Sequence, residues 1–450
     1  METISRRMAE FVSRLSVQDL PAEVIWKAKA CLLYGLSIAM AACDSRSAQI
    51  AEAAILESEA LSGSGSTTVL SGQKATPSGA AFANGVLFQG RGQSDAYGTM
   101  AHFGPAVIPA VLALAEQQER SGPDILAALV AGYEVAAALA KDHIKLSVAR
   151  GWRGSPTYGV LGAAAAAARL MQLGAEEVMN ALGFAACFTF GNVECNIAHT
   201  METHFELGLA SRNGLISSWV AQHRGRAAPT AIEGKAGFLN LFAGTTEFAG
   251  KVTQGLGKRF EILEVTFKRY PTSMIAQSPV YLAVSLARQE DLNPEDVKEV
   301  LVELDPFEAE YPGKGRRQDE DPADRGVGTA QGVAAALVYR RASRDLLRRR
   351  DDARIARLLE RISIKGSEGV APLCARLIVR TGRQEYFKET TDGARNHLFG
   401  YEDTVELVRE LQPEMRVSKE TLEKMIELIR GLESADRIRP LIMLATQGAT

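Results

Sequence analysis

GVLGAAAAAARLMQLGAEEVMNALGFAA, residues 159–186, sets two alanine- and glycine-rich segments in series with a break only at Gly174. Both are apolar nearly all round, as helices are when they lie inside a bundle rather than on its surface. Side chains this small also let neighbouring helices approach closely. The same signature recurs at AEVIWKAKACLLYGLSIAMAA (22–42), AAFANGVLFQG (80–90), AVIPAVLALAEQQERSG (106–122), DILAALVAGYEVAAALAKDHI (124–144) and SRNGLISSWVAQHRG (211–225). Glycine and proline mark the breaks between them. The exception is GSGSTTVLSG (63–72), whose β-branched centre between glycines predicts a short strand or hairpin.

Composition changes after about residue 265. KEVLVELDP (298–306), RISIKGS (361–367) and LCARLIVRTGRQEYFKE (373–389) carry β-branched residues in alternation and predict strands. SPVYLAVSLARQEDL (278–292) and TAQGVAAALVYRRASRDLL (329–347) predict helices between them. The helical signature returns at YEDTVELVREL (401–411). The expected fold class is mainly α: an all-helical main domain over 1–265, completed by 401–450, with a smaller α+β domain over 266–400.

The 450 residues, 46% hydrophobic and 23% charged, have the composition of a soluble globular protein of two domains. A formal net charge of −3 gives no reason to expect nucleic acid or an anionic membrane as partner. The arginines at 340, 341, 344, 348, 349 and 350 read as a solvated helix end. The longest apolar runs are too short to span a bilayer, and METISRRMAEFVSRL has no signal-peptide core. Five cysteines without a CxxC pair fit a reducing compartment. A cytoplasmic protein is expected.

P-loop, GxSxG, HExxH and strand–GxGxxG–helix patterns are all absent, so a nucleotide cofactor has no visible seat. GQSDAYGTMAH (92–102) interrupts the helices with an acid, a phenol and one of six histidines: Asp95, Tyr97 and His102. In GWRGSPTYGVLG (151–162), Arg153 precedes a helix and suits a carboxylate, and Tyr158 belongs to the same pocket wall. ECNIAHTMETHFE (194–206) places Cys195 and His199 at i, i+4, with Glu202, His204 and Glu206 nearby. A polar pocket lining is the preferred reading there, and no metal is expected. FKRYPTSMIAQSP (267–279) sets Lys268 and Tyr270 at the domain junction.

In this order the segments resemble the MmgE/PrpD superfamily. AFANGVLFQG, HFGPAVIPAVLALAE, GYEVAAALA, the stretch that opens this section, AIEGKAGFLNLF, FKRYP and DLNPEDVKEVLVEL carry the likeness over nearly the whole chain. The superfamily includes 2-methylcitrate dehydratase, cis-aconitate decarboxylase and iminodisuccinate epimerase. The resemblance implies a helical main domain, a smaller α+β lid, a homodimer and cofactor-free chemistry on a small molecule in the cleft between the domains.

It also implies site residues. His102 falls on the family's histidine after the LDFDDTH-like run, where Gly92 replaces the first aspartate and Asp95 is the acid that remains. Arg153 falls on the histidine of a GFHPTGT-like segment. Thr203 falls on the lysine of an MVKRLHPG-like segment, with His204 and Glu206 after it. Lys268 and Tyr270 keep the lysine and tyrosine of FKPYP, Ser273 falls on a later histidine, and Met274 stands where an arginine often does. GVGTAQ (326–331) replaces a KFSLPY-like segment. The resemblance therefore points to a lyase-type enzyme, dehydratase-like, that abstracts a proton next to a carbonyl. His102, Asp95, Lys268 and Tyr97 are its catalytic candidates; Arg153, Tyr158, Thr203, His204, Tyr270 and Ser273 are its substrate-binding candidates. A tricarboxylate needs several paired cations, so these departures favour a non-citrate biosynthetic intermediate, with dehydration followed by Michael-type cyclisation. The alternatives are an epimerase or isomerase of a small carboxylic acid, and a non-catalytic binding protein.

Overall fold

The computed structural model describes residues 3–198, 200–310, 328–349 and 351–448. The chain divides into two compact units. One comprises Met1–Gly90, Ser94–Val265 and Phe399–Thr450, the other Arg91–Gln93 and Thr266–Leu398.

In the first unit the helices Pro77–Gln89, Gly104–Gln117, Gly122–Ala140, Gly154–Leu170 and Glu202–Gln222 pack on one another. Their starts are encoded locally. Thr76 and Ser121 accept hydrogen bonds from the amides of Gly79 and Asp124, and a proline stands in the first turn of each of these two helices. The alanines at 163–168 are all fully buried. Backbones approach closely between the Gly122–Ala140 and Gly154–Leu170 helices. A Cβ on Gly162 would lie 2.7 Å from the Gly132 carbonyl oxygen, and one on Gly132 would lie 2.9 Å from the Gly162 oxygen. Only hydrogen fits at either position. The C-terminal helices Tyr401–Leu411 and Lys419–Arg430 pack against Ala22–Met40, with the Trp26 and Tyr401 rings 5.1 Å apart.

Gly122–Ala140 is long and apolar enough to cross a membrane, contrary to the expectation that every apolar run is too short. Packing accounts for its composition instead, since 83% of its most apolar window is buried. The 63–72 stretch supplies the first strand and the turn of a hairpin, in which Ser66–Thr67 pairs with Lys74–Ala75 just beyond it.

The second unit is built on a four-stranded sheet. Val297–Leu304 runs parallel to Ile362–Gly366 and antiparallel to Arg376–Thr381, which pairs in turn with Glu385–Glu389. Val300, Val302 and Leu304 alternate inward and are fully buried against residues of the helices Gln277–Gln289 and Thr329–Tyr339. The predicted helix 329–347 is two helices. Arg340 takes a left-handed conformation, φ 59°, and Arg344–Leu347 starts afresh. The basic run is accordingly no single solvated end: Arg340 pairs with Asp291, Arg344 is buried, and Arg350 lies outside the described residues.

The Gly132–Gly162 contact leaves no room for a methyl group. Gly162→Ala is expected to destabilise the protein by about 1–3 kcal/mol through overpacking, read as a lowered midpoint in urea.

Candidate active site

Asp95 is buried in the helical unit. Its carboxylate accepts from the Gly104 amide at 3.1 and 3.2 Å and from the Tyr133 hydroxyl at 2.5 Å. Gly104 opens the Gly104–Gln117 helix, so the charge faces that helix's positive end. A Cβ at position 104 would come within 2.8 Å of both carboxylate oxygens, which explains glycine there. Burial, and then the Asp95 charge, hold the Tyr133 phenol well above its usual range, keeping it a donor. The Cys31 thiol is pushed up to about 12, chiefly by burial. Burial also lowers the Lys27 ammonium, against the pull of Cys31, Asp95, Glu264 and Asp403. Lys27, Cys31 and Tyr133 were not foreseen as part of this site. Their one sequence signal is a pair of lysines, Lys27 and Lys29, within the largely apolar helix Ala22–Met40.

His102 meets Asp95 through the backbone. Its Nδ1 lies 2.6 Å from the Asp95 carbonyl oxygen, and its amide donates to Ser155 Oγ at 3.1 Å. The Asp95 carbonyl makes this contact while its carboxylate anchors the loop. Tyr97 turns elsewhere. Its hydroxyl donates to Glu261 Oε2 at 2.6 Å, and Glu261 also takes Lys141 Nζ at 2.6 Å. Burial first, and then Glu261, push the Tyr97 phenol far above its ordinary range. That makes it a poor proton donor.

Arg153 stands just before the helix Gly154–Leu170. It is buried and holds a carboxylate, but one from this chain: Nη1 donates to Glu206 Oε2 at 2.8 Å and to the Thr203 carbonyl at 2.6 Å. Glu206 Oε1 takes the Asn192 amide at 3.0 Å. Thr203 and His204 sit in the first turn of Glu202–Gln222, with His204 buried. Tyr158 is fully buried within its helix, its hydroxyl 2.7 Å from Ser147 Oγ and its ring edge-on to Phe238 at 5.3 Å, as a packing residue is. Cys195 belongs to a separate short helix, Glu194–Ala198, so it shares no helix face with His204. Its thiol is raised to about 11, mainly by burial. His199 lies outside the described residues. Among the described residues no group of three or more His, Cys, Asp and Glu side chains is disposed to hold a metal.

The second unit carries the remaining candidates. Lys268 is buried, and its Nζ donates to the Gly92 carbonyl at 2.7 Å. Gln93 Nε2 reaches the Lys268 and Arg269 carbonyls at 3.1 and 3.2 Å. Tyr270 packs on the sheet unit's core, its amide and carbonyl both held by the Gln277 side chain. Ser273 is exposed just before the turn Met274–Ala276. Of GVGTAQ, residues 326 and 327 lie outside the described residues, and Thr329 begins a helix.

A family model for the MmgE/PrpD N-terminal domain matches residues 6–251, more than half the chain. The chain belongs to the MmgE/PrpD family. Its curated relatives include the cis-aconitate decarboxylase-like protein oryM of Aspergillus oryzae, 27% identical over 282 residues covering 59% of this chain and 58% of that protein. Cis-aconitate decarboxylase of Aspergillus terreus is 27% identical over 306 residues, 64% and 60% of the two chains. The human protein of that name is 26% identical over 243 residues, 51% and 49%. This MmgE/PrpD chain therefore matches about half to three-fifths of the length of these relatives.

Two side-chain anchors in the MmgE/PrpD helical unit are open to measurement. Tyr133→Phe removes a donor from a buried carboxylate and is expected to cost about 1–3 kcal/mol in chemical denaturation. Arg153→Met or Glu206→Leu alone strands a buried charge and is expected to cost about 3–5 kcal/mol, whereas the double replacement should recover much of that loss. Additive losses in the double variant would show that the two charges do not depend on each other.

Proposed function

We propose that this protein is a cofactor-independent lyase that takes a proton from the carbon next to a carbonyl and eliminates water, with His102 as its acid–base group. The contact between His102 Nδ1 and the Asp95 carbonyl carries the reading. A carbonyl oxygen only accepts, so Nδ1 bears the hydrogen and the neutral ring keeps its lone pair at Nε2. That is the tautomer a general base needs, and the half-buried position of the residue suits the task. Family membership and the decarboxylase names of the relatives support a lyase.

Proton removal leaves an enolate, whose charge Lys268 is proposed to stabilise. Expulsion of the β-hydroxyl requires a proton. With Tyr97 bound to Glu261, the imidazolium of His102 supplies it, so one group serves as base and then as acid. The product alkene is conjugated with the carbonyl and accepts a nucleophile, which is how elimination leads into Michael-type cyclisation. Loss of carbon dioxide from an unsaturated acid passes through a similarly stabilised carbanion.

The internal Arg153–Glu206 pair bears on the substrate. A guanidinium already balanced by a carboxylate offers little to a trianion, and burying unpaired charge is costly. We infer a substrate with fewer carboxylates than citrate.

The test is incubation in heavy water with cis-aconitate and with a panel of β-hydroxy acids and thioesters, followed by mass spectrometry. Loss of water supports the proposal, and loss of carbon dioxide from cis-aconitate transfers the relatives' reaction instead. Deuterium uptake without a change in composition identifies an epimerase. His102→Gln is expected to lower turnover about a hundredfold or more; unchanged turnover removes His102 from the mechanism.

A further inference from the structure

The helical unit holds a polar cavity of about 280 Å³, and neither His102, Asp95 nor Arg153 lines it. Its charged walls are Glu134, Lys141, Asp142, Lys251, Arg259 and Glu261. Lys141 is spoken for by Glu261 at 2.6 Å. Lys251 lies over the Phe248 ring, 4.9 Å from its centre, and among the described residues neither it nor Arg259 has a carboxylate within ion-pairing distance. These two cations stand outside any ion pair among the described residues; with Asp142 counted and Glu134 neutral, the lining carries one excess positive charge.

Glu134 adds an independent sign of a ligand. Its side chain is fully buried, and Oε1 accepts the Ile262 amide at 2.8 Å, but Oε2 has no hydrogen-bond partner among the described residues. A buried polar atom without a partner is costly unless something completes it. Burial raises this carboxyl to about 7 against the lowering effect of the Ile262 and Glu261 amides, with Glu261's charge adding to the rise and Lys141's opposing it. Near neutrality a large share of Glu134 is therefore the neutral acid, whose hydroxyl needs an acceptor. A cation would find Asp142, but Glu261 is already paired and Glu134 is largely uncharged. An anion finds Lys251 and Arg259 outside any ion pair, one excess positive charge and a buried donor.

We propose that this cavity binds a small anion, either a carboxylate or a tetrahedral oxyanion, held by Lys251 and Arg259 with Glu134 donating a hydrogen bond to it. The volume suits an ion of that size rather than a cofactor. Glu261, in the same wall, also holds the Tyr97 hydroxyl. An occupant that draws on Lys141 therefore changes the charge felt by the loop carrying Asp95 and His102. The binding proposal itself does not depend on the lyase reading.

Sulfate is the probe for the test, because it does not titrate near neutrality. Calorimetry on the full chain at constant ionic strength is expected to show one saturable site. Lys251→Gln/Arg259→Gln should weaken it about tenfold or more, and both positions are exposed, so the variant should melt as the parent does. Affinity should fall between about pH 6 and pH 8 as Glu134 ionises, and Glu134→Gln should flatten that dependence. Competition by succinate adds carboxylates to the ligand class, and sulfate binding indifferent to succinate supports a tetrahedral oxyanion. Absence of saturable binding, or equal affinity in the double variant, overturns the proposal.

Discussion

Burying the Asp95 carboxylate between the Gly104 amide and the Tyr133 hydroxyl fixes a loop that would otherwise be a polar turn. A carboxylate out of water requires donors, and here they come from a helix N-terminus and from a phenol whose own proton is held by burial. The same residue's carbonyl meets His102, so imidazole orientation follows from where the carboxylate is anchored. Side chain and main chain of one residue thereby do different jobs. The first holds the loop to the bundle, and the second selects a tautomer.

Much of this architecture was legible in the sequence because it rests on local rules. All-apolar alanine-rich runs gave buried helices, alternation gave the strands at 297–304, 362–366 and 376–381, and turn chemistry gave the 66–75 hairpin. The errors fall where tertiary context overrides local pattern. The helix break at Arg340 has no glycine or proline to announce it, and Gly122–Ala140 is apolar enough for a bilayer because it is enclosed by protein. At the site, residue types were readable and partners were not. Arg153 was read as a holder for a substrate carboxylate; in the fold it holds Glu206, some fifty residues on in the chain, a partner no local pattern announces. Tyr133, in the middle of an apolar helix, offers no pattern that separates it from core packing.

The charged and polar groups of the candidate site are largely satisfied by one another. Arg153 is neutralised internally, Thr203 contributes its carbonyl to that arginine, and Tyr97 is tied to Glu261. Each of these groups is occupied with the protein's own atoms. A buried internal ion pair is a poor source of binding energy for an incoming anion, since opening it exposes two charges for every one it satisfies.

The back-to-back glycines at 132 and 162 bear on how such a protein can change its chemistry. With two helix backbones in direct contact, the bundle's interior offers almost no substitutions for selection to explore. Novelty is confined to the loops at the helix ends, where 92–102 and 151–153 lie. A laboratory library aimed at new substrates gains most by randomising those loops and leaving the alanine and glycine scaffold untouched.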